Sequence, residues 1–304
     1  MVDLLNISMD SAYRRIRCET EITMDEMFRL CEYFKVSADS LLFTDVNTAT
    51  FIYKPIFQSI SNFEEHLKKI EQNMESIISM PDIHMYYAAE EVPLFHSLYS
   101  EHLIRFKLFY WMRNILGINE FNHQYNPDII PNNLVKTSLK INRLYKDIPS
   151  SEIWSNETVL TFIKQIEFSI EAGLFSNKEI IMNLIEEHNK MLETLKINTE
   201  NGHKENRKNI VFNLYKSDIM IGTNSICVEK NNIPILSYVS FNTLNTLSTS
   251  NQTFSNEVSK WIKNLIKKST LLSGTSEKER YKFFNEMFKK TAILKEKVKD
   301  LVIY

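Results

Sequence analysis

The chain has 304 residues, of which 43% are apolar and 24% are charged, and its formal net charge is −2. This length is typical of about two domains, and the apolar fraction suffices for a sizeable core. The net charge excludes a global basic field that would draw the chain onto nucleic acid or membrane, so any DNA contact must come from a local patch. The five glycines disfavour glycine-rich phosphate loops and favour long helices.

The cysteines and the N-terminus together predict a cytoplasmic protein. Cys18, Cys31 and Cys227 include no C-x-x-C pair, and their odd number is typical of reduced thiols. The N-terminus lacks the basic and then apolar pattern of a signal peptide. No apolar run reaches the roughly 18–20 residues that a membrane span requires, so we expect no membrane association.

Residues 1–44 are predicted to form a unit of short helices. Leu5 ends a first apolar stretch, Asn6-Ile7 marks a turn, and Ser8 is a favourable N-cap for a helix that continues to about Arg17. This is the arrangement of two short helices joined by a tight turn.

Two further helices are predicted within residues 1–44. Thr23 and Glu26 have the spacing of a capping box, in which each side chain bonds the other residue's backbone N–H. The helix that follows carries apolar residues at helical spacing: Met27, Leu30, Cys31 and Phe34. Ser37 can cap a last short helix that carries Leu41 and Leu42.

The remaining residues are predicted to form a linker and two regions of different periodicity. Residues 45–60 form the linker, and residues 61–197 a helical domain with helices at about 61–80, 94–116, 133–146, 156–172 and 177–196. Residues 198–304 alternate apolar and polar positions at 210–215, 225–230 and 234–241, and end with helices at about 253–272 and 276–300. We therefore expect a mainly α (α+β) fold, in which a small antiparallel sheet belongs to a sensor or dimerisation region.

The helix after Ser8 carries the strongest indication of function. A helix-turn-helix places the N-terminal residues of its second helix against base edges. Arg14 and Arg17 are three residues apart, so they share a face and could hold phosphates. Ala12 and Ile16 are four apart and are expected to pack inward.

This segment resembles the lambda-repressor-like (XRE-type) helix-turn-helix transcription regulators, and more closely a group of long regulators common in Bacteroidetes-type bacteria. The matching stretches are Leu5-Asn6-Ile7-Ser8, Ser11-Ala12-Tyr13-Arg14-Arg15-Ile16-Arg17, Thr23-Met24-Asp25-Glu26 and residues 34–42. The long group also shares Tyr53-Lys54-Pro55, Tyr87-Ala88-Ala89, Phe106-Lys107-Leu108-Phe109 and Lys268-Ser269.

The resemblance implies a regulator that binds double-stranded DNA. Met9, Asp10, Ser11 and Tyr13 would face the bases, while Arg14 and Arg17 would hold the backbone. The DNA-binding residues predicted in this way are Ser8, Met9, Asp10, Ser11, Tyr13, Arg14, Arg15 and Arg17. We expect a homodimer, because one short helix rarely supplies enough affinity or specificity.

Three features depart from the family pattern. The family's helix before the helix-turn-helix is missing, since Met1 falls inside the first helix of the motif. Cys18 stands where the family has glycine, at a turn that glycine would enter with positive φ at no steric cost. Residues 1–44 hold five cations and eight anions, a net charge of −3. DNA binding would therefore depend on the arginine cluster.

Catalytic and metal-binding patterns are weak. His96 and His102 are six residues apart, which does not place them on one helical face, and Pro93 separates them from His84. The sequence Lys268-Ser269-Thr270 echoes the end of a phosphate loop but lacks its glycines. We expect no enzymatic activity, no metal and no cofactor.

Two functions remain open at this point. The first is a dimeric, sequence-specific DNA-binding regulator whose C-terminal region senses a small-molecule or protein effector. The second, which the acidic N-terminal unit favours, is a protein–protein interaction or ligand-sensing protein with a vestigial DNA-binding unit.

Overall fold

The structure is a computed structural model that describes residues 1–34, 36–38, 41, 48–56, 59–242 and 245–301. The chain divides into two compact units, Met1–Ile52 and Tyr53–Tyr304. Helix accounts for 55% of the described residues, which include eleven α-helices. The strands of these residues form one mixed sheet, so the fold is mixed α/β.

The described residues of the smaller unit form three helices: α1 (Val2–Leu5), α2 (Met9–Ile16) and α3 (Met24–Phe34). Leu5 and Ala12 are its buried apolar residues among those described. Leu42, and with it most of the short helix expected after Ser37, lies outside the described residues. The same holds for residues 45–47, 57 and 58 of the expected linker.

The larger unit alternates helices and strands along the chain. Its helices are α4 (Ile60–Ile78), α5 (Leu94–Ser97), α6 (Glu101–Tyr110), α7 (Asn132–Tyr145), α8 (Leu160–Glu171), α9 (Lys178–Asn201), α10 (Gln252–Lys267) and α11 (Glu277–Asp300). Its strands are β1 (Ile83–Ala89), β2 (Ser150–Trp154), β3 (His203–Lys204), β4 (Arg207–Lys216), β5 (Ser225–Lys230), β6 (Ile233–Ser240), β7 (Thr246–Thr249) and β8 (Thr270–Leu271).

The sheet has the strand order β3-β4-β2-β1-β5-β6-β7, with β8 also paired to β4. β2 runs parallel to both β1 and β4, and helices fill the connections that parallel neighbours require. The strands from β5 to β7 add an antiparallel meander. Asn231 and Asn232 both have positive φ between β5 and β6, as a two-residue hairpin turn demands.

Helices cover the two faces of the sheet unequally. Tyr87, Trp154 and Phe212 face the main core, which also contains buried side chains from α4, α6, α7, α8, α9 and α11. On the opposite face, Ala88 and Ile153 belong to a smaller cluster with side chains of α10. The polar groups described below lie within these two layers.

The expectation of a small antiparallel sheet confined to residues 198–304 is wrong. Two central strands, β1 and β2, come from the region 61–197 that was expected to be a helical domain, and they lie between its predicted helices. All five residues of β2 are buried, although three of them are polar. Strands buried on both faces lack an apolar–polar alternation, so a search for a period of two does not detect them.

The long predicted helices are confirmed with one exception, and their ends shift by a few residues. Those at 133–146, 177–196 and 276–300 correspond to α7, α9 and α11. The helix predicted at 94–116 is instead divided into α5, α6 and a π-helical turn at Trp111–Ile115. None of the described helices is both long and apolar enough to span a bilayer.

Candidate nucleic-acid interface and a buried polar network

A tight turn joins α1 to α2. Asn6 ends α1 in the left-handed conformation, with φ 54° and ψ 49°. Ser8 then begins α2, because its Oγ accepts a hydrogen bond from the Ser11 backbone N–H at 3.2 Å. The predicted N-cap at Ser8 is thus confirmed, and the local geometry is that of two short helices separated by a turn.

The first turns of α2 present several of the residues expected to face bases. Met9 is 63% exposed and Tyr13 is 54% exposed, and their spacing of four places them on one side of the helix. Asp10 is also exposed, while Ser11 is half-buried and its Oγ accepts a hydrogen bond from Ser8 Oγ at 3.0 Å. This end of α2 therefore offers apolar, aromatic and polar groups to a ligand.

The three arginines occupy two kinds of environment. Arg14 Nε lies 3.4 Å from an Asp10 carboxylate oxygen, and Arg17 Nε lies 3.1 Å from Glu19. Both arginine side chains are 58% exposed, so these surface pairs exchange readily with other anions. The Arg15 side chain is only 13% exposed, and it fixes α2 in place rather than facing solvent.

The Glu26 carboxylate binds the Arg15 guanidinium and holds it in place. The carboxylate accepts from Arg15 Nε at 2.9 Å and from Arg15 Nη2 at 2.7 Å. It also accepts from the Thr23 backbone N–H at 3.0 Å, while the Glu26 N–H donates to Thr23 Oγ1 at 3.3 Å. The predicted capping box is confirmed, and the bonds from Arg15 and Thr23 hold the pKa of Glu26 below its ordinary value.

The packing of the smaller unit departs from expectation at Ile16. Ala12 is buried as predicted, but Ile16 is 62% exposed, so its predicted inward packing is wrong. Among the described residues of this unit, Leu5 and Ala12 are the buried apolar side chains. In α3 no residue is buried, and its exposed apolar side chains include Met24, Phe28, Tyr33 and Phe34.

Cys18 takes up the backbone conformation expected from its position. Its φ is +59°, in the left-handed region that glycine enters most readily. Its N–H bonds the Arg15 carbonyl at 3.1 Å, and the next N–H, of Glu19, bonds the Arg14 carbonyl at 2.8 Å. The turn therefore forms without glycine, at the steric cost that a Cβ brings in this region.

A second polar site, within the larger unit, surrounds Glu152 on β2. The Glu152 side chain is completely buried and accepts from His96 Nε2 at 2.8 Å and from Trp154 Nε1 at 2.8 Å. The Tyr145 hydroxyl contacts both Glu152 and Ser150 Oγ. Burial by itself would raise the pKa of Glu152, but His96, Tyr145 and Lys204 outweigh it and lower the pKa.

Lys204 on β3 completes this network. Its Nζ donates to the carbonyls of Tyr145 at 2.9 Å and Ile148 at 2.7 Å, and lies 3.4 Å from the centre of the Tyr145 ring. Burial lowers the pKa of Lys204 to about 7, against the opposing effect of Glu152. A small cleft of about 20 Å³, room for about one water molecule, adjoins these residues, and their polar groups are already paired.

The histidines weighed as metal ligands lie apart. His96 bonds Glu152 on the side of the main core, whereas His84 Nε2 lies 2.9 Å from Ser151 Oγ on the opposite face of the sheet. Among the described residues no three His, Cys, Asp or Glu side chains form a group that could hold a metal. The sequence analysis did not identify Glu152 or Lys204. The signal for Glu152 was a run of polar residues, 150–152, in a short buried strand.

The comparisons with known proteins identify no relative. No family model matches the chain. No curated protein matches it significantly, and neither does any solved structure. The functional assignment therefore depends on the residues themselves.

Proposed function

We propose that this chain is a sequence-specific DNA-binding transcription regulator that acts as a homodimer, with a larger unit that senses an effector. One observation carries the proposal. A capped helix, α2, follows a tight turn and presents Met9, Tyr13, Arg14 and Arg17 to solvent. This is the geometry that a recognition helix needs to enter the major groove.

The roles of the side chains follow from their environments. Arg14 and Arg17 exchange the carboxylates of Asp10 and Glu19 for DNA phosphates. Met9, Asp10, Ser11 and Tyr13 face base edges, with Ser8 at the helix start. Arg15 is a positioning residue, because Glu26 holds its guanidinium.

The acidic character of the small unit makes dimerisation part of the proposal. Five cations against eight anions in residues 1–44 suppress non-specific attraction to the phosphate backbone. Two copies on half-sites about 34–36 Å apart would double the specific contacts. The operator would accordingly have two-fold symmetry.

The proposal is tested by selecting binders from a pool of random duplexes with the full chain at moderate salt. The comparison is with the double variant Arg14→Ala/Arg17→Ala. We expect the native chain to enrich a symmetric site, and the double variant to lose that enrichment. For the double variant, the slope of the logarithm of DNA affinity against the logarithm of salt concentration should be smaller in magnitude by about 2 per protomer, one for each lost phosphate contact.

A matched control removes the same charge elsewhere. Lys278→Ala/Lys289→Ala deletes two exposed cations of α11 and should leave the enrichment unchanged. If both double variants lose the enrichment equally, the result shows only an effect of net charge. No enrichment by the native chain would reject the proposal.

One observation favours a second candidate, a protein–protein interaction module. The exposed side chains of Met24 and Phe28 on α3, at 74% and 75%, form an apolar surface of the kind that binds a partner. This candidate would be supported if a Phe28→Ser variant still binds duplex DNA but no longer binds a partner protein.

A further inference from the structure

The helix α10 and the residue after it carry a local excess of positive charge. Residues 252–268 hold one acidic residue, Glu257, and four lysines: Lys260, Lys263, Lys267 and Lys268. Four cations and one anion give this segment a net charge of +3, in a chain whose formal net charge is −2. A basic patch of this kind attracts polyanions even when the whole chain does not.

Helical spacing aligns three of these lysines with an asparagine. Asn256, Lys260, Lys263 and Lys267 are four, three and four residues apart, so they lie on one side of α10, and we call them the basic row. The row extends for about 16 Å along the helix axis. Glu257 lies about 100° from Asn256 around the helix, outside the row. The basic row therefore contains no carboxylate and no apolar side chain.

Packing against the sheet holds the basic row in place. Val258 and Ile262, on the other side of α10, are buried in the smaller core cluster. Lys263 Nζ lies 2.7 Å from a carboxylate oxygen of the buried Glu229 and 5.4 Å from the centre of the Tyr86 ring. The charge of Lys263 is thus neutralised within the chain, and its side chain fixes the middle of the row.

The charges of Lys260 and Lys267 are not neutralised in this way. Both residues are exposed, and neither forms an ion pair within the part of the chain that the structure describes. In α11, by contrast, Lys282 and Lys299 lie within 3.1 Å of glutamates of the same helix. The two ends of the basic row therefore present cations that are available to an external anion.

We propose that the basic row binds the phosphate backbone of duplex DNA. Lys260 and Lys267 each contact a phosphate as point charges. The Asn256 side chain accepts from Gln252 through its oxygen, and its amide nitrogen donates to the same backbone. Such contacts do not depend on the base sequence, and they fix position on the duplex. Only their role beside the base-reading residues of α2 rests on the proposed function.

The composition of the basic row favours a duplex over other polyanionic partners. A helix that lies on a membrane combines its lysines with apolar side chains that enter the bilayer. The row has none, and the exposed Trp261 lies about 100° from Lys260 around the helix. An acidic protein segment would likewise need apolar contacts beside its charges to bind stably. A DNA backbone requires only cations and hydrogen-bond donors.

The test measures binding to a short random-sequence duplex by fluorescence anisotropy at several salt concentrations. The parent is the full chain with Arg14→Ala/Arg17→Ala, which lacks the proposed phosphate contacts of α2. Adding Lys260→Gln/Lys267→Gln should weaken binding by about 10-fold at roughly 0.1 M salt. The slope of the logarithm of affinity against the logarithm of salt concentration should be smaller in magnitude by about 2, one for each lost phosphate contact.

Two control variants, made in the same parent, separate this contact from net charge and from folding. Lys278→Gln/Lys289→Gln removes two exposed lysines of α11 and should change neither the affinity nor the slope. Lys260→Arg/Lys267→Arg keeps both charges of the basic row and should bind like the parent. All four positions are exposed, so each variant should fold as the parent does.

Three results would overturn the proposal. The first is that Lys260→Gln/Lys267→Gln leaves the affinity and the salt slope unchanged. The second is that the α11 control weakens binding equally. The third is that the same substitutions weaken binding to phosphatidylserine vesicles or to polyglutamate more than binding to the duplex. None of these results bears on whether the native chain enriches a specific site, so the two proposals fail separately.

Discussion

Arg15 on α2 and Glu26 on α3 form an ion pair with two hydrogen bonds, at 2.9 and 2.7 Å, and both side chains are largely buried. Because Glu26 also caps α3 through Thr23, one carboxylate fixes the start of one helix and the placement of another. Because the described residues of this unit bury only Leu5 and Ala12 as apolar side chains, we expect this pair to determine how α2 is presented.

Replacing Arg15 by lysine should loosen α2. Lysine cannot make two parallel bonds to a carboxylate, so hydrogen exchange at the α2 amides should become faster. Arg14→Lys makes the same change at an exposed neighbour and should leave exchange unaltered. Equal protection in both variants would contradict the role assigned to the pair.

The Arg15–Glu26 pair should also make the small unit sensitive to acid. The pKa of Glu26 is lower in the folded state than in the unfolded state. The pair therefore stabilises the unit above the unfolded pKa, and this stabilisation disappears as the pH falls through the folded pKa. Glu26→Gln should remove the dependence, as measured by α2 amide exchange between pH 6 and 3.

Cys18→Gly should stabilise the small unit. A side chain at φ +59° costs about 1–2 kcal/mol, and the greater freedom of glycine in the unfolded chain offsets part of the gain. We expect a net increase of roughly 0.5–1 kcal/mol in the free energy of unfolding, read from α2 amide exchange. Cys18→Ala keeps the Cβ and should give no increase; an equal gain would point to the thiol instead of the backbone.

Glu152→Leu should destabilise the larger unit strongly. The substitution leaves three buried donors, on His96, Tyr145 and Trp154, without their acceptor. The expected loss is about 3–5 kcal/mol in denaturant unfolding. Glu157→Leu changes a mostly exposed carboxylate just after β2 and should cost far less. Similar losses in the two variants would rule out the network as a source of stability.

Lys204 should make the larger unit more stable as the pH rises above neutrality. Its pKa is about 7 in the folded state, whereas an unfolded lysine titrates near 10.4. Between these values the unfolded chain binds more protons, so stability rises with pH by at most about 1.4 kcal/mol per unit. Denaturant unfolding at pH 7 to 9 should show this rise, and Lys204→Met should flatten it. Lys208→Met, at an exposed position of β4, should retain it.

His84 should weaken the fold in acid. Burial, aided by the charge of Lys204, lowers the pKa of His84 to about 4. As the pH falls from 6.5 to 4 the unfolded chain takes up a proton that the folded chain does not, so stability falls. His84→Gln can still bond Ser151 but does not titrate, and its unfolding free energy should fall less steeply. If the unfolding free energies of the native chain and His84→Gln fall equally steeply between pH 6.5 and 4, this assignment is contradicted.

The sequence predicted the helices of the fold well and the sheet only in part. α7, α9 and α11 carry apolar residues at helical spacing, and this pattern needs no knowledge of the partner. β1 and β2 were not predicted, because burial on both faces removes the alternation of apolar and polar residues that identifies a strand. For the candidate DNA interface, the Ser8 cap and the Thr23–Glu26 box were predictable, but the exposure of Ile16 was not.

What the sequence determined by itself was local. Caps and turns such as those at Ser8 and Asn6 depend on contacts within about one helical turn, where residue type and spacing decide the outcome. The tertiary structure alone decided which residues meet across long separations. It brought His96 to Glu152, Lys204 to Tyr145, and Lys263 to Glu229. Such pairings depend on the strand order and on how helices fill the space between, and no spacing along the chain encodes them.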